Sequence, residues 1–354
     1  MHTSDVVIAG AGIIGLSLAI ELRRAGASVV VLDRGEPGSE SSSAAAGMLV
    51  TADPDTNPAL KPLANASAAL YSTFVDELEL RSGIDVSYEN RGALYVATGD
   101  EQFLFPGLPP AEVRLLEPAL AEYPCVHFLK EQSVDPRRLV QAALLTAKHL
   151  GVAVHHEAFV EGVTLTADHH LQAKTVRGSY VTATFVNCAG AWAREISGIS
   201  IPTRPVKGQM LVVISHHCEL QHVIRSHHVY LVPRKGGRVL IGSTVEEAGF
   251  DKVVDPSTIQ KLHQAAANLV PAIGEGKMVE AWAGLRPGSP DDLPILGPGR
   301  LPGTYVASGH FRNGILLAPI TAVSMAELIQ GRQPRVDLRP FALSRFSSIE
   351  ALAG

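Results

Sequence analysis

Apolar residues along this chain recur with two periods, and the switches between them outline the elements. A β-branched run, Val6-Val7-Ile8, gives way after a few small residues to helical spacing over 16–24, and 28–32 returns to a strand pattern. A helix is predicted over 59–81 from Leu63, Ala66, Leu70, Phe74 and Leu78. Another runs from Asp135-Pro136, an N-cap followed by proline at the first helical position, to about Leu150, and Gly151 ends it before a strand at 152–154. Between these, 86–98 reads as strands around a turn at Asn90-Arg91-Gly92, and the Pro-rich stretch 105–124 as loops and short turns. Strand patterns follow at 159–166 and 171–177. Residues 184–192 read as a buried strand breaking into small residues and a helix. Further β-type runs lie at 205–214, 223–233 and 238–244, the last two joined as a hairpin across Lys235-Gly236-Gly237. A helix at 256–270, strands at 278–285 and 304–307, and a last helix reaching about Gln330 complete the pattern. Pro319 lies inside that last helix, so it is either kinked or starts later than Gly314.

No repeat of 20–50 residues is present. The pattern predicts an α/β nucleotide domain interrupted twice by a mostly antiparallel β insertion. The first domain takes residues 1–84, 135–204 and 285–354, and the second 85–134 and 205–284.

The junction of the first strand and helix carries the first chemistry. Gly10, Gly12 and Gly15 form G-x-G-x-x-G between a strand and a helix, the setting of a dinucleotide-phosphate site. Gly10 permits the turn, Gly12 lets backbone approach a pyrophosphate, and Gly15 lets helix and strand pack closely. The N–H groups and positive dipole end of the helix then face the phosphates. Asp33 ends the second strand eighteen residues beyond Gly15, where a carboxylate accepts hydrogen bonds from a ribose and repels a 2′-phosphate. The small-residue stretch Ser41-Ser42-Ser43-Ala44-Ala45-Ala46-Gly47-Met48 reads as a loop whose bare backbone lies against the cofactor rather than as a flexible linker.

Composition narrows the class. Of 354 residues, 46% are hydrophobic and 18% charged, which supports a large core and argues against wholesale disorder. A net charge of −5 without a Lys/Arg-rich run speaks against nucleic acid or an anionic membrane as the main partner. Three widely spaced cysteines, Cys125, Cys188 and Cys218, do not make a disulfide framework and fit a reducing compartment. The start Met-His-Thr-Ser-Asp lacks the basic residues of a signal peptide, and no apolar run reaches the eighteen residues of a membrane span. A soluble, cytoplasmic protein is expected.

Several blocks are more particular: Ser43–Leu49 within the small-residue loop, Pro205-Val206-Lys207-Gly208, Tyr230-Leu231-Val232-Pro233-Arg234-Lys235, Trp282-Ala283-Gly284-Leu285-Arg286-Pro287-Gly288, and Gly309-His310-Phe311-Arg312-Asn313-Gly314-Ile315-Leu316-Leu317-Ala318-Pro319. In this order they resemble glycine oxidases of the thiamine-biosynthesis type, in the D-amino-acid-oxidase-like family of FAD-dependent oxidoreductases, over nearly the whole chain. The resemblance implies a Rossmann-like FAD-binding domain with a discontinuous antiparallel β-sheet substrate domain, in the p-hydroxybenzoate-hydroxylase-like arrangement. It implies FAD rather than NAD. It further implies oxidation of glycine and other small amines to imines, with oxygen reduced to hydrogen peroxide, in a homotetramer. By position, Ile13, Ile14, Asp33, Arg34, Ser41, Ser42, Ala46, Gly47, Met48, Val160 and residues 310–316 (His310, Phe311, Arg312, Asn313, Gly314, Ile315, Leu316) would touch FAD. Ala189 and Gly190 are further cofactor candidates. Arg286, Tyr230 and Arg312 would form the substrate end, and a thiazole-forming enzyme would take the imine. Related enzymes tether flavin through a cysteine in the C-terminal third. None lies beyond Cys218 here, so the FAD is expected to be non-covalent.

Hydride transfer from an amino acid needs positioning more than acid–base help, because the cofactor supplies the redox chemistry. Arg286 suits the task of holding a carboxylate, although taken alone it would read as an ordinary surface ion pair. Tyr230 would add a hydrogen bond to that carboxylate, against the simpler reading of a buried, satisfied phenol. In an alternating run His228 would share its face and tune the amine from behind. The N-terminus of the last helix would stabilise negative charge on the reduced ring, while Asn313 could simply cap it. The pairs His155-His156, His169-His170, His216-His217 and His227-His228 do not chelate from one side of a strand, so no metal is expected, even at His216-His217-Cys218 with His222. Three alternatives stand beside the oxidase: a D-amino-acid dehydrogenase feeding a quinone, a non-catalytic FAD-binding assembly factor, and, least favoured, a nicotinamide dehydrogenase.

Overall fold

The computed structural model describes residues 2–51, 56–97, 106–215 and 219–346. Two sheets organise them. The eight-stranded sheet is built on the first strand, His2–Ala9, which pairs in parallel with Val29–Leu32 on one side and Gly178–Asn187 on the other. Ala153–His155 and Thr304–Ser308 extend it in parallel, and Ile295–Pro298 closes one edge antiparallel. Strands at its centre are buried on both faces and read as continuous Val/Ile runs for that reason.

The strand Gly178–Asn187 begins six residues before its predicted start, because its first half pairs antiparallel with Leu171–Thr175 and its second half with Thr304–Ser308. Its Ser179 and Thr182 carry no apolar signal; Thr182 Oγ1 instead donates 2.8 Å to the Asp5 carbonyl.

Helices Ile13–Arg24, Lys61–Ser82, Pro136–His149 and Gly314–Ile329 share one core with this sheet. Asp135 caps the third of them by accepting from Arg137 N and Arg138 N at 3.0 and 3.3 Å. The last helix starts at Gly314 and runs continuously past Pro319, which resolves the choice left by the sequence. The ring removes the donor to the Ile315 carbonyl, and the buried Tyr71 hydroxyl supplies one at 3.1 Å. Ser67 Oγ donates 2.6 Å to the Leu316 carbonyl and accepts from Ile320 N at 3.4 Å. The buried stripe of Lys61–Ser82 therefore runs through Ser67 and Tyr71, while Ala66, Leu70 and Phe74 are only half-buried.

The seven-stranded sheet has the order Lys277–Gly288, Arg204–Ile214, Arg238–Gly242, Tyr230–Arg234, Val223–Arg225, Ala93–Val96, Val126–Leu129. All its pairings are antiparallel except Val223–Arg225 against Ala93–Val96. The hairpin across 235–237 forms as expected, with Arg234 opposite Arg238. The run 223–233, however, is two strands around a turn, in which Ser226 N donates 2.9 Å to the Val229 carbonyl. His228 thus lies in a turn, not on the Tyr230 strand. Around Asn90-Arg91-Gly92 only one strand forms, Ala93–Val96, with a single bridge from Glu89 to Ser133. The stretch expected to be loops holds a helix, Pro110–Leu116, and Val126–Leu129 is a strand the pattern missed. Thr98 and Phe105, at the ends of two predicted stretches, lie outside the described residues. The boundary expected after residue 284 falls inside the strand Lys277–Gly288, which carries Arg286 on the antiparallel sheet.

Candidate active site

One cavity of about 720 Å³ runs between the two sheets, from the glycine turn to Arg286. At the turn, Gly10 has φ +103°, and a Cβ there would stand 2.3 Å from the Cys188 carbonyl oxygen. A Cβ on Gly15 would stand 2.0 Å from Gly10 O, so Gly15 serves helix–strand packing and does not line the cavity. A side chain at either position would strike neighbouring backbone, while Gly10 and Gly12 present bare backbone to the cavity. Ser42 Oγ accepts from Ile13 N at 3.0 Å and fixes the loop 41–48 over the helix start.

Asp33 lines the cavity beside this turn. Its Oδ2 accepts from Ala11 N at 2.6 Å and its Oδ1 from Gly35 N at 2.9 Å. Burial raises its pKa, opposed by those two N–H groups and by Arg34. Each oxygen keeps a lone pair for a further donor. The Arg34 guanidinium lies 3.9 Å from the ring centre of Trp192, and Phe250 stacks on that ring at 5.3 Å.

The small-residue loop is held against the second sheet by side chains the sequence reading passed over. Half-buried Arg234 donates to the carbonyls of Ala46, at 2.6 Å, and Val134, at 3.0 Å. Trp282 Nε1 donates 3.2 Å to the Ala44 carbonyl. Gly47 has φ +74° and no room for a Cβ, which would fall 1.9 Å from Val134 O.

Ser41, Ala46, Met48, Val160, Ala189 and Gly190 line the cavity wall, as do Gly12, Ile13 and Ile14. The turn at Ala189 and Gly190 is shaped by buried Asn187, which accepts from Ala189 N at 3.2 Å and donates to Ala193 O at 2.9 Å. From the C-terminal part, residues 310–315 line the cavity and Leu316 does not, being buried in the core at the first turn of the long helix. His310 is buried, 3.1 Å from Thr321 Oγ1, and burial pushes its pKa down to about 3, so it is neutral. Phe311, at φ +47°, donates 2.8 Å to the Pro287 carbonyl and turns exposed Arg312 into the cavity. Asn313 stands at the N-cap of Gly314–Ile329 but makes no side-chain cap bond, so the capping explanation for it fails.

At the far end Arg286 and Tyr230 come together, with His228 exposed at the rim. Arg286 Nη2 donates 2.7 Å to Ser243 Oγ, and Nη1 donates 3.0 Å to Thr244 O and 3.4 Å to Lys207 O. Burial lowers the Arg286 pKa; neighbouring Tyr230 opposes this and Arg312 adds to it. The Tyr230 hydroxyl lies beside the Arg286 guanidinium and within 3.8 Å of the weak acceptor Met210 Sδ. Two glycines make room, since a Cβ on Gly208 would stand 2.3 Å from Arg286 Nη1 and one on Gly242 2.7 Å from the Tyr230 hydroxyl. No sequence pattern marks Ser243 or Gly242, and Gly208 ends the segment Pro205-Val206-Lys207-Gly208 that resembles the family.

The described residues hold no group of three or more His, Cys, Asp or Glu able to bind a metal, and no helix long and apolar enough to cross a membrane. The cluster His216-His217-Cys218 lies outside the described residues.

Comparison with known proteins matches this geometry to one family. Residues 5–328 fit the model of the FAD dependent oxidoreductase family DAO. The chain is 33% identical to a glycine oxidase of Geobacillus kaustophilus over 97% of both chains. The crystal structure of glycine oxidase from Geobacillus kaustophilus superposes with a TM-score of 0.92 at 32% identity, covering 98% of this chain and 99% of that one. The hydrogen cyanide synthase subunit HcnC of Pseudomonas aeruginosa is 33% identical over 98% of this chain and 97% of its own. A bifunctional ThiO/ThiG protein of Nostoc is 34% identical over 97% of this chain, which spans 55% of that protein. The bare-backbone turn, the half-buried Asp33 and the length of the cavity fit the dinucleotide of such enzymes. The chain therefore belongs to the DAO family and is an FAD-dependent amine oxidoreductase.

Proposed function

We propose that the chain oxidises glycine and other small amines, among them sarcosine and small D-amino acids, to the imine or 2-oxo acid while O2 becomes hydrogen peroxide. The observation that carries this reading is Arg286, a cation drawn from water into the end of the cavity opposite the glycine turn. FAD, bound without a covalent link, supplies the acceptor for the two electrons that leave the substrate. In this reading Gly10, Gly12 and the start of Ile13–Arg24 receive the pyrophosphate, Asp33 the ribose, and residues 41–48 and 310–315 the rest of the cofactor.

Three of the five Arg286 N–H groups are directed at protein oxygens, and the rest serve the substrate carboxylate together with the Tyr230 hydroxyl. Arg312 adds positive charge at the same end, and His228 influences the amine from the rim. The antiparallel sheet is the substrate side and the parallel sheet the cofactor side, divided close to residues 84, 134, 204 and 288. The Nostoc ThiO/ThiG relative supports a place in thiamine biosynthesis, with a thiazole-forming enzyme receiving the imine. A cytoplasmic homotetramer completes the proposal, and light scattering with cell fractionation tests it.

The deciding experiment is the visible spectrum of the purified protein before and after glycine without oxygen. Bleaching that recovers in air with release of peroxide supports the oxidase. The second reading is a D-amino-acid dehydrogenase that passes electrons to a quinone or another acceptor, in a family whose members include a subunit of hydrogen cyanide synthase. Bleaching without recovery in air would establish that one. A flavin band indifferent to glycine, sarcosine and D-alanine would refute both and leave an assembly factor.

A further inference from the structure

Arg286 has no carboxylate partner of its own among its hydrogen bonds. Its guanidinium is gripped by the first residues of the loop that follows Arg238–Gly242, through Ser243 Oγ at 2.7 Å and Thr244 O at 3.0 Å. A loop of this kind, Ser-Thr-Val-Glu, holds no position by its own sequence. It is fixed from the opposite face of the sheet.

The strand Arg204–Ile214 alternates, with Gly208 and Met210 toward the cavity and Lys207 and Gln209 away from it. Lys207 and Gln209 are 4% and 1% exposed, a degree of burial rare for these residue types. Gln209 touches the loop at four places, one of them its backbone carbonyl, which accepts from Thr244 N at 3.4 Å. Its backbone N–H donates 2.9 Å to Thr244 Oγ1, its Nε2 donates 2.9 Å to Glu246 Oε1, and its Oε1 accepts from Asp255 N at 2.7 Å. Thr244 Oγ1 also donates to Glu246. Lys207 and Glu246 exchange both backbone bonds at 2.9 Å, and Lys207 Nζ lies 3.1 Å from Asp251. The side-chain amide of Gln209 is thereby spent at both ends on the loop, on residues 37 and 46 positions along the chain, and the loop cannot drift without breaking these part-buried bonds.

We propose that Ser243 and Gln209 are positioning residues for Arg286. Ser243 sets the rotation of the guanidinium directly, and Gln209 fixes the backbone on which Thr244 offers its carbonyl. The inference rests on Arg286 being the carboxylate clamp. A guanidinium held in this way before the ligand arrives loses little rotamer freedom on binding, whereas a free one loses most of it.

The test compares holoenzyme carrying Ser243→Ala, Gln209→Leu, Ser243→Thr or Arg286→Lys. Two readouts are taken: steady-state kinetics with glycine, and calorimetric binding of acetate, a carboxylate with no amine to oxidise. Ser243→Ala and Gln209→Leu are expected to weaken acetate binding and raise KM for glycine about tenfold, with kcat within about twofold. The flavin spectrum stays that of the wild type, and Ser243→Thr, which keeps the hydroxyl, retains acetate affinity. Should Gln209→Leu fail to fold, Ser243→Ala decides alone. Unchanged acetate affinity in Ser243→Ala, with affinity lost in Arg286→Lys, would overturn the positioning role. Unchanged affinity in Arg286→Lys as well would overturn the clamp itself.

Discussion

Replacing Gly208 by alanine adds one carbon where the structure has no space for it. The new Cβ would stand 2.3 Å from Arg286 Nη1, 2.4 Å from Nη2 and 2.6 Å from Cζ. Ordinary contact begins near 3.4 Å, so the guanidinium must retreat by about 1 Å. That movement takes the 2.7 Å bond to Ser243 Oγ and the 3.0 Å bond to Thr244 O to or beyond the limit of hydrogen bonding. Because the obstacle is the end of a long side chain, the backbone pairing of Gly208 with Gly284 survives. The expected result is an enzyme of nearly wild-type thermal stability, with FAD bound, whose kcat/KM for glycine falls about 100-fold, the usual cost of misplacing a reacting group by about 1 Å. Kinetics paired with a thermal melt of the same preparation measures both halves. Normal kcat/KM would refute the reasoning from space, and a collapsed melt would show that Gly208 serves the sheet rather than Arg286.

Other predictions follow from groups buried away from the substrate end. Tyr71→Phe leaves the Ile315 carbonyl without a donor beside Pro319 and should cost about 1–3 kcal/mol, read in denaturant unfolding; an unchanged midpoint would mean water replaces the hydroxyl. Asp33→Asn offers one acceptor where Ala11 N and Gly35 N require two, so FAD affinity should drop about tenfold or more in equilibrium dialysis, and wild-type affinity would contradict it. His310, neutral with a pKa held down to about 3 by burial, has a folded value below its usual one near 6.5. Its contribution is therefore whole above about pH 6.5 and is lost as pH falls toward about 3, with a slope approaching 1.4 kcal/mol per pH unit. His310→Gln removes this slope, so the wild-type-minus-variant stability difference should fall steadily as pH drops through that window; parallel curves would refute the assignment.

The sequence revealed elements whose physics is local. The glycine turn, the Asp135-Pro136 helix start and the Lys235-Gly236-Gly237 hairpin each follow from a few adjacent residues, and the structure contains all three. What escaped depended on distant partners. Ser67 looks like a surface residue until the last helix, far along the chain, brings the Leu316 carbonyl and Ile320 N beside its hydroxyl. The turn at Ser226–Val229 contains neither glycine nor proline, so His228 was assigned to a strand. At the site, residue types with an evident chemistry, Arg286, Tyr230 and Asp33, were legible. Arg234, Ser243 and Gln209 were not, because each acts by contact with another segment of the chain, and no spacing along the chain announces that.

The pairing of His2–Ala9 with Gly178–Asn187 has a consequence for biosynthesis. The first strand leaves the ribosome about 180 residues ahead of its neighbour, roughly ten to thirty seconds at ordinary elongation rates. During that interval Val6, Val7 and Ile8 present an open, apolar strand edge, a surface prone to pairing with other nascent chains. Thr304–Ser308, which completes the parallel set, emerges later still. Neither half of the chain can therefore fold as a finished unit. Split expression would succeed only if both fragments were made together, and slower growth or chaperone supply should raise yield more than any stabilising change at the surface.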